Sequence, residues 1–304
     1  MNRRSSNLLI VLIIIANSVS AQTVADTSFY FKINKTAYEP GKGPVITFDE
    51  FHNNPFTLKG QYSPFNKLIS QDGYVLRPTR EAVTAASLAG SKIYVSVNAM
   101  YDSMNWDLPA RSAYSDEEVN AIYEWVKNGG SLFLITDEMP SPAAVNTIAQ
   151  KFGFNMINGF AFSKDRMPEI FSRSGGNLHE SVITNAPGAV IDSIRIWVGT
   201  GFVAPKEATI ISSLGDQYDV YLPVKASDIY GTISNTVPSI SGLGLANGAF
   251  LKFGKGRVLI FADGSPFSAL LKGVKSDKRG MNHPDASQNA QFLLNIIHWL
   301  DGKL

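Results

Sequence analysis

Residues 45–54, Val45-Ile46-Thr47-Phe48-Asp49-Glu50-Phe51-His52-Asn53-Asn54, carry the strongest signal for the fold. It begins as a short apolar run of the kind that fits a buried strand. It then becomes polar within two residues, and Pro55 prevents any regular continuation. Ligands of open α/β sheets bind outside the carboxyl ends of the strands. The stretch therefore predicts a strand over 45–49 whose end presents ligand-binding side chains.

Along the rest of the chain, apolar runs alternate with segments of helical periodicity. The predicted core strands are 45–49, 74–77, 92–97, 131–135 and 257–261. The predicted helices are 62–70, 82–89, one beginning at the capping box Ser115-Asp-Glu-Glu118, 142–152 and 285–300. This alternation indicates an α/β fold with a mostly parallel sheet and helices on both faces. Between about 155 and 245 short β-like runs predict a β-rich excursion, and Gly254-Lys-Gly256 predicts a hairpin.

Several blocks together resemble a known group of proteins. They are Asp49-Glu-Phe-His-Asn-Asn54, Thr136-Asp-Glu138, Gly254-Lys-Gly-Arg-Val-Leu-Ile-Phe-Ala-Asp263, Asn282-His-Pro284 and Asn289-Ala-Gln-Phe-Leu-Leu-Asn-Ile-Ile-His-Trp299. Over roughly 44–301 the chain resembles an uncharacterised bacterial family with the class I glutamine amidotransferase-like, flavodoxin-like sandwich. Relatives of that fold include ThuA-type proteins and domains of gliding-motility and intraflagellar-transport proteins. The resemblance implies a three-layer fold and export, and no particular chemistry.

True class I amidotransferases use a Cys nucleophile on a strand-to-helix elbow, and this chain has no Cys. The equivalent elbow, near Asp137 to Met139, offers no Ser either. Glutamine hydrolysis by that mechanism is therefore excluded.

The N-terminus has the pattern of a secretory signal peptide. Arg3 and Arg4 precede an apolar core at Leu8–Ala16, and Val19-Ser-Ala21 fits a cleavage site before Gln22. The apolar run is short for a membrane span of about 20 residues, although an uncleaved anchor stays open as the alternative. We expect a signal peptide at 1–21, a lead-in at 22–43 and a single α/β domain at 44–301. The expected location is periplasmic or extracellular, without stable membrane insertion after cleavage.

Charge and cysteine content restrict the partners and the chemistry. The chain has 27 Lys and Arg against 26 Asp and Glu, and losing Arg3 and Arg4 with the leader gives a net charge of −1. This balance argues against nucleic acid as a main partner. The absence of Cys excludes thiol nucleophiles, thiolate metal sites and a disulfide framework.

The candidate ligand-binding residues are polar side chains at or after predicted strand ends. They are Asp49, Glu50, His52, Asn53, Asn54, Asn98, Asp137, Glu138, Asp263, Asn282 and His283. The alternative for each is structural: acids that cap the next segment, asparagines and histidines that tie loop backbones, and ordinary turn chemistry around Asp263. No Walker loop, zincin helix or Gly-x-Ser-x-Gly elbow occurs, so we predict neither a cofactor nor a metal site.

Two classes of function fit this pattern. The favoured one is a binding module that holds a polar small molecule, with a carbohydrate as the favoured class, in the strand-end cleft. The loop aromatics Tyr62, Trp106 and Phe267 would stack on a sugar ring. The alternative is a hydrolase of carbohydrate-type substrates that uses carboxylates and His, with or without a divalent metal. A metal enzyme would need three of the acids and histidines to converge on one point.

Overall fold

The computed structural model describes residues 23–165, 169–197, 199–229, 233 and 236–304. The predicted leader and its cleavage point lie outside the described residues. Within the described ranges, no helix has the length and apolar character needed to cross a membrane.

The described part of the chain contains four α-helices among many short strands. The helices are α1 (Ser63–Gln71), α2 (Asp116–Lys127), α3 (Ser141–Lys151) and α4 (Asn289–Asp301). Single 3-10 turns span Ala226–Asp228, Ser265–Phe267 and Pro284–Ala286. The strands are β1 (Thr23–Ala25), β2 (Val45–Asp49), β3 (Val75–Thr79), β4 (Ser91–Val97), β5 (Ser131–Ile135), β6 (Asn155–Met156), β7 (Phe160–Ser163), β8 (Ile170–Ser172), β9 (Asn185–Ala186), β10 (Ala189–Val190), β11 (Ser193–Arg195), β12 (Phe202–Val203), β13 (Thr209–Ser213), β14 (Tyr218–Tyr221), β15 (Ser239–Ser241), β16 (Ala246–Phe253), β17 (Gly256–Phe261), β18 (Ala269–Lys272) and β19 (Asp277–Gly280).

The central sheet is mixed. Its parallel part has the order β3-β2-β4-β5-β17, so all five strands end at the same edge. From β17 the sheet continues antiparallel through the hairpin to β16, which pairs with both β12 and β13, and β6 closes this side. The prediction of an α/β fold is confirmed at the level of a large mixed sheet with several helices.

Alternating side chains of the strands feed two apolar layers, one on each face of the sheet. Ile93 and Val95 of β4 join one cluster with residues of α1 and α4. Tyr94, which lies between them in sequence, joins the other cluster with residues of α2 and α3. The sheet is therefore covered on both sides, as its continuous apolar strands require.

The segment before β2 runs along the outside of this core. β1 pairs antiparallel with β18, and the Asn282 amide donates to the Asp26 carboxylate at 2.9 Å. Farther along, the Ala37 N–H donates to the Asp72 carboxylate at 2.7 Å. The predicted lead-in is thus fastened to the domain at both ends.

Two predicted helices differ from the structure. Residues 82–89 form no helix, and turns begin at residue 85. The Thr84 N–H donates to the Ser87 hydroxyl and the Ser87 N–H donates to the Thr84 hydroxyl, which favours turns over a continuing helix. The last helix begins at Asn289 and not at 285, since a separate 3-10 turn at Pro284–Ala286 precedes it. The region 155–245 is rich in short strands, and β6, β12 and β13 within it join the main sheet. Val198, the end of one predicted run, lies outside the described residues.

Candidate functional site

A cleft of about 300 Å³ opens at the carboxyl edge of the parallel strands. Asn98 enters it directly after β4, Asp137 and Glu138 after β5, and Ser265 after β17. These strands are neighbours in the sheet, so side chains distant in sequence meet at one place. Three of the eleven predicted residues line the cleft: Asn98, Asp137 and Glu138.

Asn98 and Asp137 hold each other in a fixed arrangement. Asn98 has a left-handed backbone with a φ of 49°, a conformation that Asn tolerates better than most residues. Its amide donates to the Asp137 carboxylate at 2.5 Å, and its amide oxygen accepts from the Asp137 N–H at 2.6 Å. The Gly264 N–H donates to the other oxygen of Asp137. Asp137 is therefore a rigid part of the wall.

Asp263 lies next to Asp137 and is fully buried. Burial raises the pKa of both carboxyls, and the charge of Asp137 adds to the rise at Asp263. The N–H groups of Trp197 and Ser265 donate to Asp263, while the Arg279 guanidinium supplies the nearby positive charge. Asp263 is thus a buried neighbour of the cleft wall and does not line the cleft itself.

Glu138 is the acid of the cleft whose carboxyl group is open to a ligand. Its side chain is half-buried, and no hydrogen bond from another described residue reaches its carboxyl group. Burial, and then the neighbouring Asp137 charge, raise the pKa of Glu138 to about 7. A carboxyl group with that pKa exists in both protonation states near neutral pH, so it can donate or accept a hydrogen bond.

The opposite side of the cleft is apolar. Phe56, Met100 and the half-buried Trp106 line it. The prediction that Tyr62 and Phe267 stack on a ligand is wrong, because both side chains are buried in the core and the Tyr62 hydroxyl donates to the Gly264 carbonyl at 2.6 Å. Of the three predicted aromatic contacts, Trp106 alone lines the cleft.

The polar cluster that follows β2 forms a closed network beside the cleft. His52 Nδ1 lies 2.9 Å from Asp49 Oδ1, and Nε2 lies 2.9 Å from Glu118 Oε1. Tyr114 covers the imidazole ring at a centroid distance of 3.8 Å and donates to Asp49 at 2.6 Å. Both ring nitrogens and both carboxylates are occupied, so this network ties β2 to α2.

Both carboxylates and the imidazole have shifted pKa values. Burial opposes the charge of all three groups, but their hydrogen bonds and mutual attraction prevail. The pKa of His52 is raised, and the pKa values of Asp49 and Glu118 are lowered. The shifts thus favour the imidazolium form of His52 between two carboxylates.

The neighbours of His52 also serve the loop. Glu50 accepts from the Leu58 N–H at 2.8 Å and pairs with Arg80 at 3.0 Å. The Asn53 amide donates to the Tyr101 carbonyl at 2.8 Å, and the Asn54 amide donates to the Val97 carbonyl at 2.9 Å. These contacts are the loop ties that formed the structural alternative.

Asn282 and His283 lie outside the cleft lining. The Asn282 amide binds Asp26 of the N-terminal segment. His283 caps the 3-10 turn by accepting from the Asp285 N–H at 3.1 Å and lies against Trp197 and Arg195. Desolvation and then the Arg195 charge lower the pKa of His283.

No group of three or more His, Asp or Glu side chains that could hold a metal ion occurs in the part of the chain that the structure describes. The convergence that a metal-dependent hydrolase requires is therefore not formed by these residues. Among the described residues that line the cleft, the ionisable side chains are Asp137, Glu138 and Arg279.

Sequence reasoning missed Arg279, whose Nε donates to Ser265 Oγ at 3.0 Å at the cleft. It also missed Phe56, Gln61 and Met100, which lie in loops. Arg279 stands in a short strand beside other charged residues, and no spacing rule connects that strand to the parallel edge. Phe56 follows Pro55 directly after the polar cluster, and this position is the sequence feature that could have placed it at the cleft.

No protein-family model matches the chain, and no curated protein does. Among solved structures, the N-terminal domain of mmIFT52 aligns with a TM-score of 0.60 and 13% identity, over 84% of this chain and 97% of that one. A ThuA-like protein from Bacteroides uniformis aligns with a TM-score of 0.45 and 12% identity, over 87% and 94% of the two chains. A GMP synthase-type protein from Thermoplasma acidophilum aligns with a TM-score of 0.42 and 9% identity, over 84% of this chain and 96% of that one. The chain thus shares its fold with the IFT52 N-terminal domain, and at these identities the likeness extends to the fold alone.

Proposed function

We propose that this protein binds a neutral carbohydrate in the strand-end cleft. The observation that carries the proposal is the pairing of Glu138, a carboxyl group open to a ligand, with the half-buried Trp106 on the apolar side of the same cavity. We also propose a flavodoxin-like three-layer sandwich related to class I amidotransferases, and export by way of a leader at 1–21.

The cleft has the complementary groups that a sugar requires. A sugar ring presents hydroxyl groups at its edge, which both donate and accept, and C–H groups on its faces. Glu138, Arg279 and Asn98 supply donors and acceptors, while Trp106 supplies a flat apolar surface. The cavity of about 300 Å³ is at the lower end of the range for small-molecule sites.

The charges of the cleft favour a neutral ligand. Asp137, Glu138 and Asp263 all lie near the Arg279 guanidinium, and Lys272 adds a second positive charge near Glu138, so the acids outnumber these cations. A carboxylate on the ligand would add a further negative charge to a partly desolvated acidic site. We therefore expect neutral sugars to bind better than uronates.

The test is a thermal-shift and calorimetric panel on residues 22–304. The probes are glucose, galactose, mannose and N-acetylglucosamine, with glucuronate and galacturonate as charged counterparts. Binding to the folded state alone raises the melting temperature. At least one neutral sugar should do so, and Trp106→Ala and Glu138→Gln should abolish its effect.

The matched controls are Tyr30→Ala, which removes an aromatic residue that is 64% exposed, and Glu124→Gln, which neutralises an acid of α2 whose side chain is 57% exposed. Both should respond to the sugar as the unchanged protein does. A panel in which no sugar shifts the melting temperature would contradict the proposal.

A second candidate, a carboxylate-dependent glycoside hydrolase, is favoured by the pKa of Glu138 near 7, which suits a general acid. His52 and His283 do not line the cleft, so a role for His finds no support. Release of nitrophenol from 4-nitrophenyl glycosides tests this function. Turnover that disappears in Glu138→Gln would favour the hydrolase, whereas sugar binding without turnover would favour the binding module.

Export is tested separately by intact-mass measurement of the protein recovered from the medium or periplasm. A mature N-terminus at Gln22 is expected. Material that still begins at Met1 would overturn the proposed cleavage.

A further inference from the structure

A second cavity adjoins the cleft and has no part in the site described so far. Its volume is also about 300 Å³, and the loop after β4 forms most of its lining. Tyr101, Asn105, Asp107 and Arg111 line it. Pro140 lines both cavities, so the two cavities border the same side chain.

The partition between the cavities is built from consecutive residues. Trp106 lines the first cavity, while its neighbours Asn105 and Asp107 line the second. A ligand that lies against Trp106 therefore has the second cavity immediately beyond that residue.

The loop is held in place from both sides of the partition. The Leu108 N–H donates to the Val224 carbonyl at 2.9 Å, and the Asp107 carboxylate accepts from the Ala226 N–H at 2.9 Å. The Ala113 N–H donates to the Ala144 carbonyl of α3 at 2.8 Å. The second cavity is thus a formed feature of the fold.

Its wall combines the same types of group as the first. Tyr101 is 51% exposed, and the Arg111 guanidinium lies over its ring at 5.3 Å while donating to its hydroxyl at 3.2 Å. The carboxylates of Asp102 and Asp107 offset that positive charge. Aromatic surface, amide and charges of both signs again suit an uncharged polyhydroxyl group.

We propose that the two cavities are adjacent subsites for successive units of one neutral oligosaccharide, so that the natural ligand is a glycan chain and not a monosaccharide. This inference rests on the proposed function of the first cleft. A disaccharide that occupies both cavities loses its overall translational freedom once and gains the contacts of both, which raises affinity.

The experiment compares chain lengths by isothermal titration calorimetry on residues 22–304. The probes are the cello-, manno- and chito-oligosaccharide series from one to four units. For a series whose monosaccharide binds, the disaccharide should bind at least about tenfold more tightly, a difference of about 1.4 kcal/mol. Tyr101→Ala should remove that gain while leaving the monosaccharide affinity within twofold, and Trp106→Ala should weaken both ligands.

Tyr101 is exposed, so its replacement should leave the fold intact, which the melting temperature checks. Tyr30→Ala is the matched control and should retain the chain-length gain. Disaccharides that bind no more tightly than monosaccharides, or a gain that survives Tyr101→Ala, would overturn the inference and leave the proposed function standing. Failure of every mono- and oligosaccharide to bind would instead contradict the proposed function, and this inference with it.

Discussion

His52 shows how a side chain with catalytic potential becomes structural. Its two ring nitrogens face Asp49 and Glu118, and Tyr114 covers its ring. The attraction among these groups stabilises the fold only while all three members are present, because either carboxylate would otherwise be buried without its counter-charge.

We predict that His52→Ala lowers the free energy of unfolding by about 3–5 kcal/mol, the usual cost of breaking a buried ion pair. Urea denaturation measures this loss, and Lys127→Ala, which breaks the exposed pair with Glu124, should change stability by less than about 0.5 kcal/mol.

The raised pKa of His52 gives stability that is complete below its ordinary value of 6.5 and declines as the pH rises through the folded value. The lowered pKa of Glu118 gives stability that is complete above its ordinary value of 4.5 and declines as the pH falls. The difference in unfolding free energy between the unchanged protein and His52→Ala should therefore be largest between about pH 4.5 and 6.5. A difference that does not change with pH would contradict the network.

Glu138 should behave in the opposite way to Glu118, because its folded pKa of about 7 lies above its ordinary value of 4.5. The fold disfavours the ionised form, so the destabilisation is absent below pH 4.5 and complete above pH 7. We predict that Glu138→Gln raises the free energy of unfolding by about 1–2 kcal/mol at pH 8, after allowance for partial exposure, and by much less at pH 4.5. Melting curves at the two pH values measure this. Equal effects at both values would show that the Glu138 pKa is ordinary.

Much of the site's position could be predicted from the sequence, but the roles of its residues could not. Asn98, Asp137 and Glu138 follow apolar runs that end at one edge, and this order is visible in the chain. Whether a polar side chain at that edge faces the cleft or another side chain depends on contacts such as Glu118 to His52, 66 residues apart. Sequence spacing carries no signal for such a pair.

At the scale of elements, α2 links the sheet edge to the helical layer. The Ser115 hydroxyl accepts from the Glu118 N–H at 3.3 Å, and Glu118 accepts from the Ser115 N–H at 2.9 Å, which is the predicted capping box. Glu118 additionally accepts from the Val83 N–H at 2.8 Å and from His52. One capping residue thus anchors a loop and a strand end as well as its own helix.

We predict that the two halves of the capping box differ in cost. Ser115→Ala should lower the free energy of unfolding by about 1 kcal/mol, the value of an N-cap. Glu118→Ala should cost about 3 kcal/mol or more, because it also leaves the His52 charge and the Val83 N–H without their partner. Urea denaturation of both variants decides the matter. Equal losses would mean that Glu118 acts as a cap alone.

The elements themselves were largely predictable where periodicity and end signals agreed. The parallel strands and the helix after Ser115 satisfy both conditions. Residues 82–89 had helical composition, but the reciprocal bonds of Thr84 and Ser87 stabilise turns there. The strands between 155 and 245 are two to five residues long, too short for alternation to show their partners.

At the scale of the whole molecule, the acidic strand-end cluster determines how stability depends on pH. Asp137, Glu138 and Asp263 all have raised pKa values, and so does His52. Near pH 7 Asp49 and Glu118, whose pKa values are lowered, are ionised in the folded and unfolded states alike, so they do not contribute to the change. The lowered pKa of His283 works in the opposite direction, but it is one group against four with raised pKa values. We therefore predict that the melting temperature falls steadily from pH 6 to pH 8, and that Glu138→Gln reduces the slope. A melting temperature that rises over this range would contradict the assignment.

The same cluster makes folding a proton-consuming process. At neutral pH the raised pKa values of Asp137, Glu138, Asp263 and His52 favour proton uptake on folding, and this uptake exceeds the release expected from the single lowered pKa of His283. Calorimetric unfolding in phosphate and in Tris, whose ionisation enthalpies differ, would reveal this as a buffer-dependent heat. In a weakly buffered compartment, acidification would by itself drive the chain toward its folded form.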